Sequence, residues 1–252
     1  LSGFGILKKP EVWSINKRSW QRILLIRLKL NLLKKTDPQR LHLLRPLQTH
    51  TNLELHNQTE LFPDESAILR TQEFLKKHNL QPKQFVAIGP SASYPLKCWP
   101  LEYFQVLISN LLEQGWHVVL VGAAEEKETT QLEEEFSGRV QSVAGLFSPL
   151  ESAELLRHAS IVVTNDTSVG HLAEAMRTPA LVLFGATVRE FGYAPFLQES
   201  KMLETSEVLY CRPCSRDGRG ECLNSDYLRC LTTIVPEMVL SFIPKLETKR
   251  TS

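Results

Sequence analysis

Long apolar runs are missing from this chain of 252 residues. The richest stretch, Arg22 to Leu33, is interrupted by Arg27, Lys29 and Asn31. It falls short of the ~20 unbroken residues that cross a bilayer, so a soluble protein is expected. An excess of either charge is missing as well. The 29 Lys and Arg face 28 Asp and Glu, a formal +1, which removes any global electrostatic reason to bind nucleic acid or an anionic membrane. Cysteine is scarce and odd in number, five in all. That excludes a disulfide miniprotein and favours a reducing compartment, the cytoplasm by default. Neither G-x-x-x-x-G-K-[ST] nor G-x-G-x-x-G occurs, so kinase-like and ordinary dehydrogenase readings lose their main support. The chain opens at Leu1, without Met or a secretory-leader pattern, and is expected to be a processed or shortened length.

What remains is an ordinary globular mixture, 42% hydrophobic and 23% charged, of a length suited to one or two domains. No internal repeat is found. Lys17 to Lys35 carries Trp20, Ile23, Leu24, Leu28 and Leu32 on one helical stripe, which predicts a surface helix. Thr36 to Phe62 is polar without a sustained period, and Pro63-Asp64-Glu65-Ser66 opens a helix running to about Lys77. From Gln84 the rhythm becomes regular. Phe85–Gly89, Trp116–Gly122, Ser160–Thr164 and Ala180–Gly185 read as buried strands, alternating with helices over Pro100–Leu112, Glu125–Glu135, Ser148–His158 and Val169–Met176. Nearly continuous apolar strands between helices predict an α/β fold, a doubly wound parallel sheet. Residues 1–80 hold too few strands for a sheet of their own, and residues 81–252 form the regular α/β unit.

Ligands of such sheets lie beyond the carboxyl ends of the strands, where helix amino termini attract anions. In the first loop there, Ser91 and Ser93 offer hydroxyls and Lys97 a cation, a set that suits a phosphate. An ordinary surface loop carrying an exposed Lys has the same composition. The loop after Thr164 concentrates Asp166, Thr167, Ser168, Gly170 and His171. Asp166 can accept from sugar hydroxyls, while Thr167, Ser168 and His171 can face a diphosphate. A helix cap alone also accounts for Asp and Thr at that place. After Gly122, Glu125 or Glu126 can hold ribose hydroxyls, as acidic residues do in dinucleotide sites, or can simply favour the helix dipole.

Taken in order, these segments resemble glycosyltransferase family 9, the lipopolysaccharide heptosyltransferases. The matching features are Gly89-Pro90-Ser91-Ala92-Ser93, Lys97-Cys98-Trp99-Pro100, Val118 to Gly122, Asn165-Asp166-Thr167 with His171-Leu172-Ala173, Phe184-Gly185-Ala186-Thr187 and Cys211-Arg212-Pro213-Cys214. The resemblance covers roughly Phe85 to Val239. It implies a GT-B fold of two facing Rossmann-like domains, the carboxyl-terminal one binding the nucleotide sugar. It also implies an inverting, metal-independent transfer of heptose from ADP-heptose to a lipid A-linked inner-core acceptor. Carried over, Lys97 with Ser93 holds the donor phosphates and Asp166 the heptose hydroxyls. Thr167, Ser168, Gly170 and His171 line the diphosphate site, and Glu125 or Glu126 meets the adenosine ribose. The family places Gly directly after Asp-Thr, where this chain has Ser168. Nothing before Phe85 resembles the Gly-rich loop that carries the acidic general base. Residues 1–80 are therefore expected to be the closing part of the amino-terminal, acceptor-side domain, and the chain alone is expected to bind donor poorly and not to turn over.

Cys211, Cys214, Cys222 and Cys230 lie within twenty residues. The C-x-x-C pair is able to chelate zinc, but the second pair is spaced unlike a zinc knuckle; disulfides and reduced packing cysteines are equally open. Neighbouring arginines, Arg212, Arg216, Arg219 and Arg229, are expected to lower the thiol pKa values. Cys98 reads as a small buried neighbour of Trp99. A non-catalytic nucleotide-binding module, or another nucleotide-sugar enzyme such as an epimerase, remains an alternative to transfer. Basic residues in Lys17 to Lys35 allow at most peripheral contact with acidic lipid, and a solvated helix face is the preferred account of them.

Overall fold

The computed structural model describes residues 15, 17–33, 38–50, 58–124 and 126–246. Helices α1 (Ser19–Leu28), α2 (Gln39–His50) and α3 (Glu65–Lys77) precede the first strand. Then follow β1 (Phe85–Gly89), a 3-10 turn at Pro95–Lys97, α4 (Leu101–Glu113), β2 (His117–Leu120), α5 (Lys127–Glu135), β3 (Gln141–Ser142), α6 (Pro149–His158) and β4 (Ile161–Asn165). The chain continues through α7 (Ser168–Ala175), β5 (Ala180–Phe184), a second 3-10 turn at Arg189–Phe191, β6 (Lys201–Glu204), α8 (Arg229–Thr232) and α9 (Pro236–Leu240).

The strands form one six-stranded sheet in the order β3-β2-β1-β4-β5-β6, every neighbouring pair parallel. This is the doubly wound order, with its reversal between β1 and β4. Side chains alternate strictly between two cores. Val86, Ile88, Val118, Leu120, Ile161, Val163, Leu181 and Leu183 face one side, where α4, α9 and Leu132 of α5 cover them. Phe85, Ala87, Val119, Val162, Ala180, Val182 and Phe184 face the other, under α6, α7 and Leu75 of α3. A slip of one residue in any central strand would exchange these two sets, so register is tightly specified.

The amino-terminal region departs from expectation in two places. Helix α1 ends at Leu28 because Lys29 turns left-handed, φ 57°, and its amide caps Leu24. Its buried residue is Leu25, which joins Leu33 and Phe191 in a small core, while Trp20, Ile23, Leu28 and Leu32 of the anticipated stripe are exposed. The contact with Phe191 selects the packed face, not the apolar stripe. Helix α2 occupies part of the stretch read as aperiodic, even with Pro46 inside it. Its first amide, from Gln39, donates to the Gly192 carbonyl at 2.8 Å, and Arg40 lies 4.4 Å over the Phe196 ring. Helices α1 and α2 are thereby docked on the connection between β5 and β6. Among the described residues, no helix is long and apolar enough to cross a membrane.

Candidate functional site

At the reversal between β1 and β4 the two strand ends approach closely. A side chain on Gly89 would place its Cβ 2.7 Å from Thr164 Oγ1, and that hydroxyl donates to the Gly89 carbonyl at 3.2 Å. One residue on, fully buried Asn165 staples the two loops together. Its Nδ2 donates to the Pro90 carbonyl at 2.6 Å, and its Oδ1 accepts the Trp99 amide at 3.0 Å. Trp99 is itself locked, with Nε1 donating to the Ile234 carbonyl at 2.7 Å and its ring edge-on to Phe104. The 3-10 turn carrying Lys97 is thus anchored by Leu96 and Trp99, both buried.

From that base Lys97 reaches across to Asp166, with Nζ 2.8 Å from Oδ2 and the two side chains 16% and 8% exposed. Thr187 Oγ1 donates to the same Asp166 oxygen at 2.7 Å. The loop after Ser215 covers the lysine stem. Gly218, at φ +95°, sits where a Cβ would lie 2.6 Å from Lys97 Cγ, so only Gly fits. Lys97 and Asp166 come from separate loops and meet on one wall of a cleft of ≈ 1200 Å³.

Ser91, Ser93, Thr167, Ser168, His171 and Glu126 line the same cleft, together with Lys17, Arg22, Arg216 and Asp217. Ser91 Oγ pairs with Thr129 Oγ1 at 3.1 Å. Thr167 is the N-cap of α7, its hydroxyl accepting the Val169 amide at 3.4 Å and facing Thr164 Oγ1 at 3.1 Å. The cap and a cleft-facing position therefore coexist. Glu126 is the N-cap residue of α5 and folds its carboxylate back over Gly122, where an added Cβ would collide with Oε2. Glu125 lies outside the described residues. Gly170 is buried and does not reach the cleft. Its missing side chain faces Val182 and Thr164, so it lets α7 pack close to the sheet. His171 opens one edge to the cleft but is crowded by protein on the other, and desolvation lowers its pKa below 6.5. Asp166 and Glu174 oppose that shift, while Arg40 and Lys97 reinforce it.

Thr187 and Asn165 were not singled out from sequence as site residues. Asn165 is the last residue of β4 and Thr187 follows the end of β5 by three residues, and a small polar residue at such a place was the available signal.

The four clustered cysteines do converge, around a space of ≈ 10 Å³. All five cysteines of the chain are free thiols. Among the described residues, no group of three or more His, Cys, Asp or Glu is arranged to hold a metal ion, so the zinc reading gains no geometric support. At two of these cysteines the expected lowering of thiol pKa is reversed. Burial pushes Cys230 up to about 11 against the pull of Arg212, and burial likewise raises Cys214. Cys98 beside Trp99 is pushed up to about 11 by burial, which suits a packing thiol and not a nucleophile.

A family model described as glycosyltransferase family 9 (heptosyltransferase) matches residues 25–221. The chain belongs to glycosyltransferase family 9. Among curated relatives, the family 9 chain is 28% identical over 192 residues to lipooligosaccharide heptosyltransferase 2 of Haemophilus influenzae, covering 70% of this chain and 53% of that protein. It is 32% identical over 111 residues to lipopolysaccharide heptosyltransferase 3 of Escherichia coli, covering 42% of this chain and 32% of that protein. The crystal structure of a family 9 glycosyl transferase from Veillonella parvula superposes with a TM-score of 0.68 at 18% identity, covering 82% of this chain and 59% of that one. At that identity the likeness shows the fold alone, an α/β domain of GT-B type. The chain spans about half the length, or less, of the curated relatives it matches.

Proposed function

We propose that this chain supplies the donor-binding part of an inverting heptosyltransferase. In this reading the cleft grips ADP-heptose, and an inner-core sugar of a lipid A-linked acceptor approaches from its open side. The observation that carries the reading is the Lys97–Asp166 ion pair at 2.8 Å in a cleft flanked by the hydroxyls of Ser91, Ser93, Thr167 and Ser168. During transfer an acceptor hydroxyl oxygen bonds to the anomeric carbon of the heptose. The bond from that carbon to the diphosphate breaks, and its electron pair leaves with ADP. The Lys97 ammonium offsets the charge that develops on the departing diphosphate, while the first-turn amides of α7 face it. Asp166 orients Lys97 and accepts from heptose hydroxyls, and Glu126 or Glu125 meets the ribose. The acceptor proton needs a general base, a role we assign to no described residue.

Residues 81–252 are read as the nucleotide-sugar domain and residues 1–80 as the end of the acceptor-side domain. Work at the cytoplasmic face of a membrane is consistent with α1, which exposes Trp20, Ile23 and Leu28 beside Arg27. Sequence alone led us to expect poor donor binding. The convergence of Ser91, Ser93, Lys97, Asp166, Thr167 and Ser168 on one cleft argues instead for measurable binding, still without turnover.

Titration calorimetry with ADP, ADP-heptose and UDP tests the reading. ADP and ADP-heptose should bind and UDP should not, and Lys97→Met should weaken ADP by roughly 10- to 100-fold, as expected for loss of a charge-assisted contact. Tight UDP binding with none for ADP overturns the donor assignment. Full ADP affinity in Lys97→Met overturns the phosphate role of that residue.

A further inference from the structure

The ion pair in the cleft is supported from behind by a residue that does not line it. Arg212 of the Cys211-Arg212-Pro213-Cys214 segment has a side chain only 13% exposed. Its Nε donates to the Gly185 carbonyl at 2.8 Å and its Nη2 to the Thr187 carbonyl at 3.0 Å. Nη2 also meets the Glu204 carboxylate, at the end of β6, at 2.5 Å. One planar fork therefore takes two carbonyls from a single bend, a geometry that an ammonium cannot reproduce. The bend it grips presents Thr187 Oγ1 to Asp166 Oδ2 at 2.7 Å, the oxygen that also receives Lys97. The segment carrying Arg212 is pinned on its other side. Lys29 Nζ donates to the Cys211 and Pro213 carbonyls at 3.1 and 2.8 Å. Arg212 is thus fixed at its backbone by the end of α1 and at its guanidinium by the β5 and β6 termini.

We propose that Arg212 is a positioning residue for the diphosphate-binding pair. It sets the bend from Gly185 to Thr187 so that the Thr187 hydroxyl points at Asp166, and Asp166 in turn holds Lys97 toward the cleft. The proposal rests on the reading of the cleft as an ADP-sugar site. When the fork is lost the charges in the cleft are unchanged, but the Thr187 hydroxyl is no longer aimed, and Lys97 loses one of the constraints on its direction.

The experiment is a double-mutant cycle read by ADP titration, with a melting temperature for each chain. The four chains are the unchanged protein, Arg212→Lys, Thr187→Val and the double variant. Each single substitution should weaken ADP about 10-fold, and the double should be no weaker than either single, a coupling of about 10-fold. Thr187→Ser, which keeps the hydroxyl, should restore most of the affinity lost in Thr187→Val. A merely structural Arg212 would lower the melting temperature and leave the ADP effects multiplicative, which overturns the proposal. If Arg212→Lys does not fold, Glu204→Gln loosens the guanidinium more gently. It should weaken ADP in the Thr187 background and have no effect in the Thr187→Val background; equal effects in both overturn the proposal. An unchanged protein that binds no ADP fails the donor-site reading itself, and this assignment falls with it. ADP binding with an additive cycle fails only the role of Arg212.

Discussion

At the scale of single residues, the cleft is organised around one carboxylate oxygen that is asked to satisfy two donors. Asp166 Oδ2 receives both Lys97 Nζ and Thr187 Oγ1, so removing either partner leaves a nearly buried anion under-compensated. His171 stands at the edge of this group with its pKa lowered by desolvation, which keeps the imidazole neutral at neutral pH. A diphosphate beside it would act in the opposite sense and raise that pKa. Binding would then take up a proton, so ADP affinity should strengthen as pH falls through the ordinary imidazole range near 6.5. His171→Gln should flatten this dependence while retaining whatever slope belongs to the phosphates of ADP. Calorimetry in buffers of different ionisation enthalpy measures the uptake directly. Equal proton uptake by the unchanged and His171→Gln chains would separate His171 from the anion.

At the scale of elements, the site exists because β1 and β4 are allowed to touch. Gly89 and Thr164 lie side by side in the paired strands, and the Thr164 hydroxyl connects the Gly89 carbonyl to Thr167 at the start of α7. Gly89→Ala would put a methyl 2.7 Å from Thr164 Oγ1 and 3.2 Å from Val169 Cγ1. Thr164 is fully buried in its strand and has no room to withdraw, and the half-buried Val169 side chain can yield only toward the cleft. Overpacking of this kind costs about 1–3 kcal/mol, to be read in the urea midpoint, and it should also weaken ADP by displacing Thr167. An unchanged midpoint would mean that the strands tolerate a wider separation. The elements around this point were legible because their periods are strong. Strands β1, β2, β4 and β5 are nearly continuous apolar runs, and α6 announces itself through Ser148 and Glu151, which form a reciprocal capping box. Strands β3 and β6 were not legible, because one spans two residues and the other carries Lys201 and Glu204 on the sheet edge. Helix α2 escaped notice because Pro46 interrupts it and tertiary docking, on Gly192 and Phe196 among others, helps to specify it.

For the whole molecule, Lys97 and Asp166 could be named from sequence because loops after parallel strands are where ligands gather. The roles of Thr187 and Arg212 were not legible, since they depend on hydrogen bonds between segments distant along the chain. The same distinction separates two regions of different expected stability. The sheet is buried on both faces by two extensive cores, whereas α1 is held by the small cluster of Leu25, Leu33 and Phe191, by Arg22 on Phe191, Tyr193 and Gln39, and by the Lys29 contacts. Local opening should therefore begin at α1 and α2, with amide exchange there much faster than in β1 and β4. Both regions contribute to the cleft, with Lys17, Ser19, Arg22 and Gln39 facing the strand ends. ADP at about 100-fold over its dissociation constant should add about 2.7 kcal/mol to global stability, a rise of roughly 5–10 °C in melting temperature. If the ligand touches both walls, exchange in α1 slows along with that of the sheet. Slowing confined to α7 and the loop after β1 would place the nucleotide on the sheet side alone, and exchange in α1 as slow as in β1 before any ligand is added would refute the division into a firm sheet and a lightly docked helical wall.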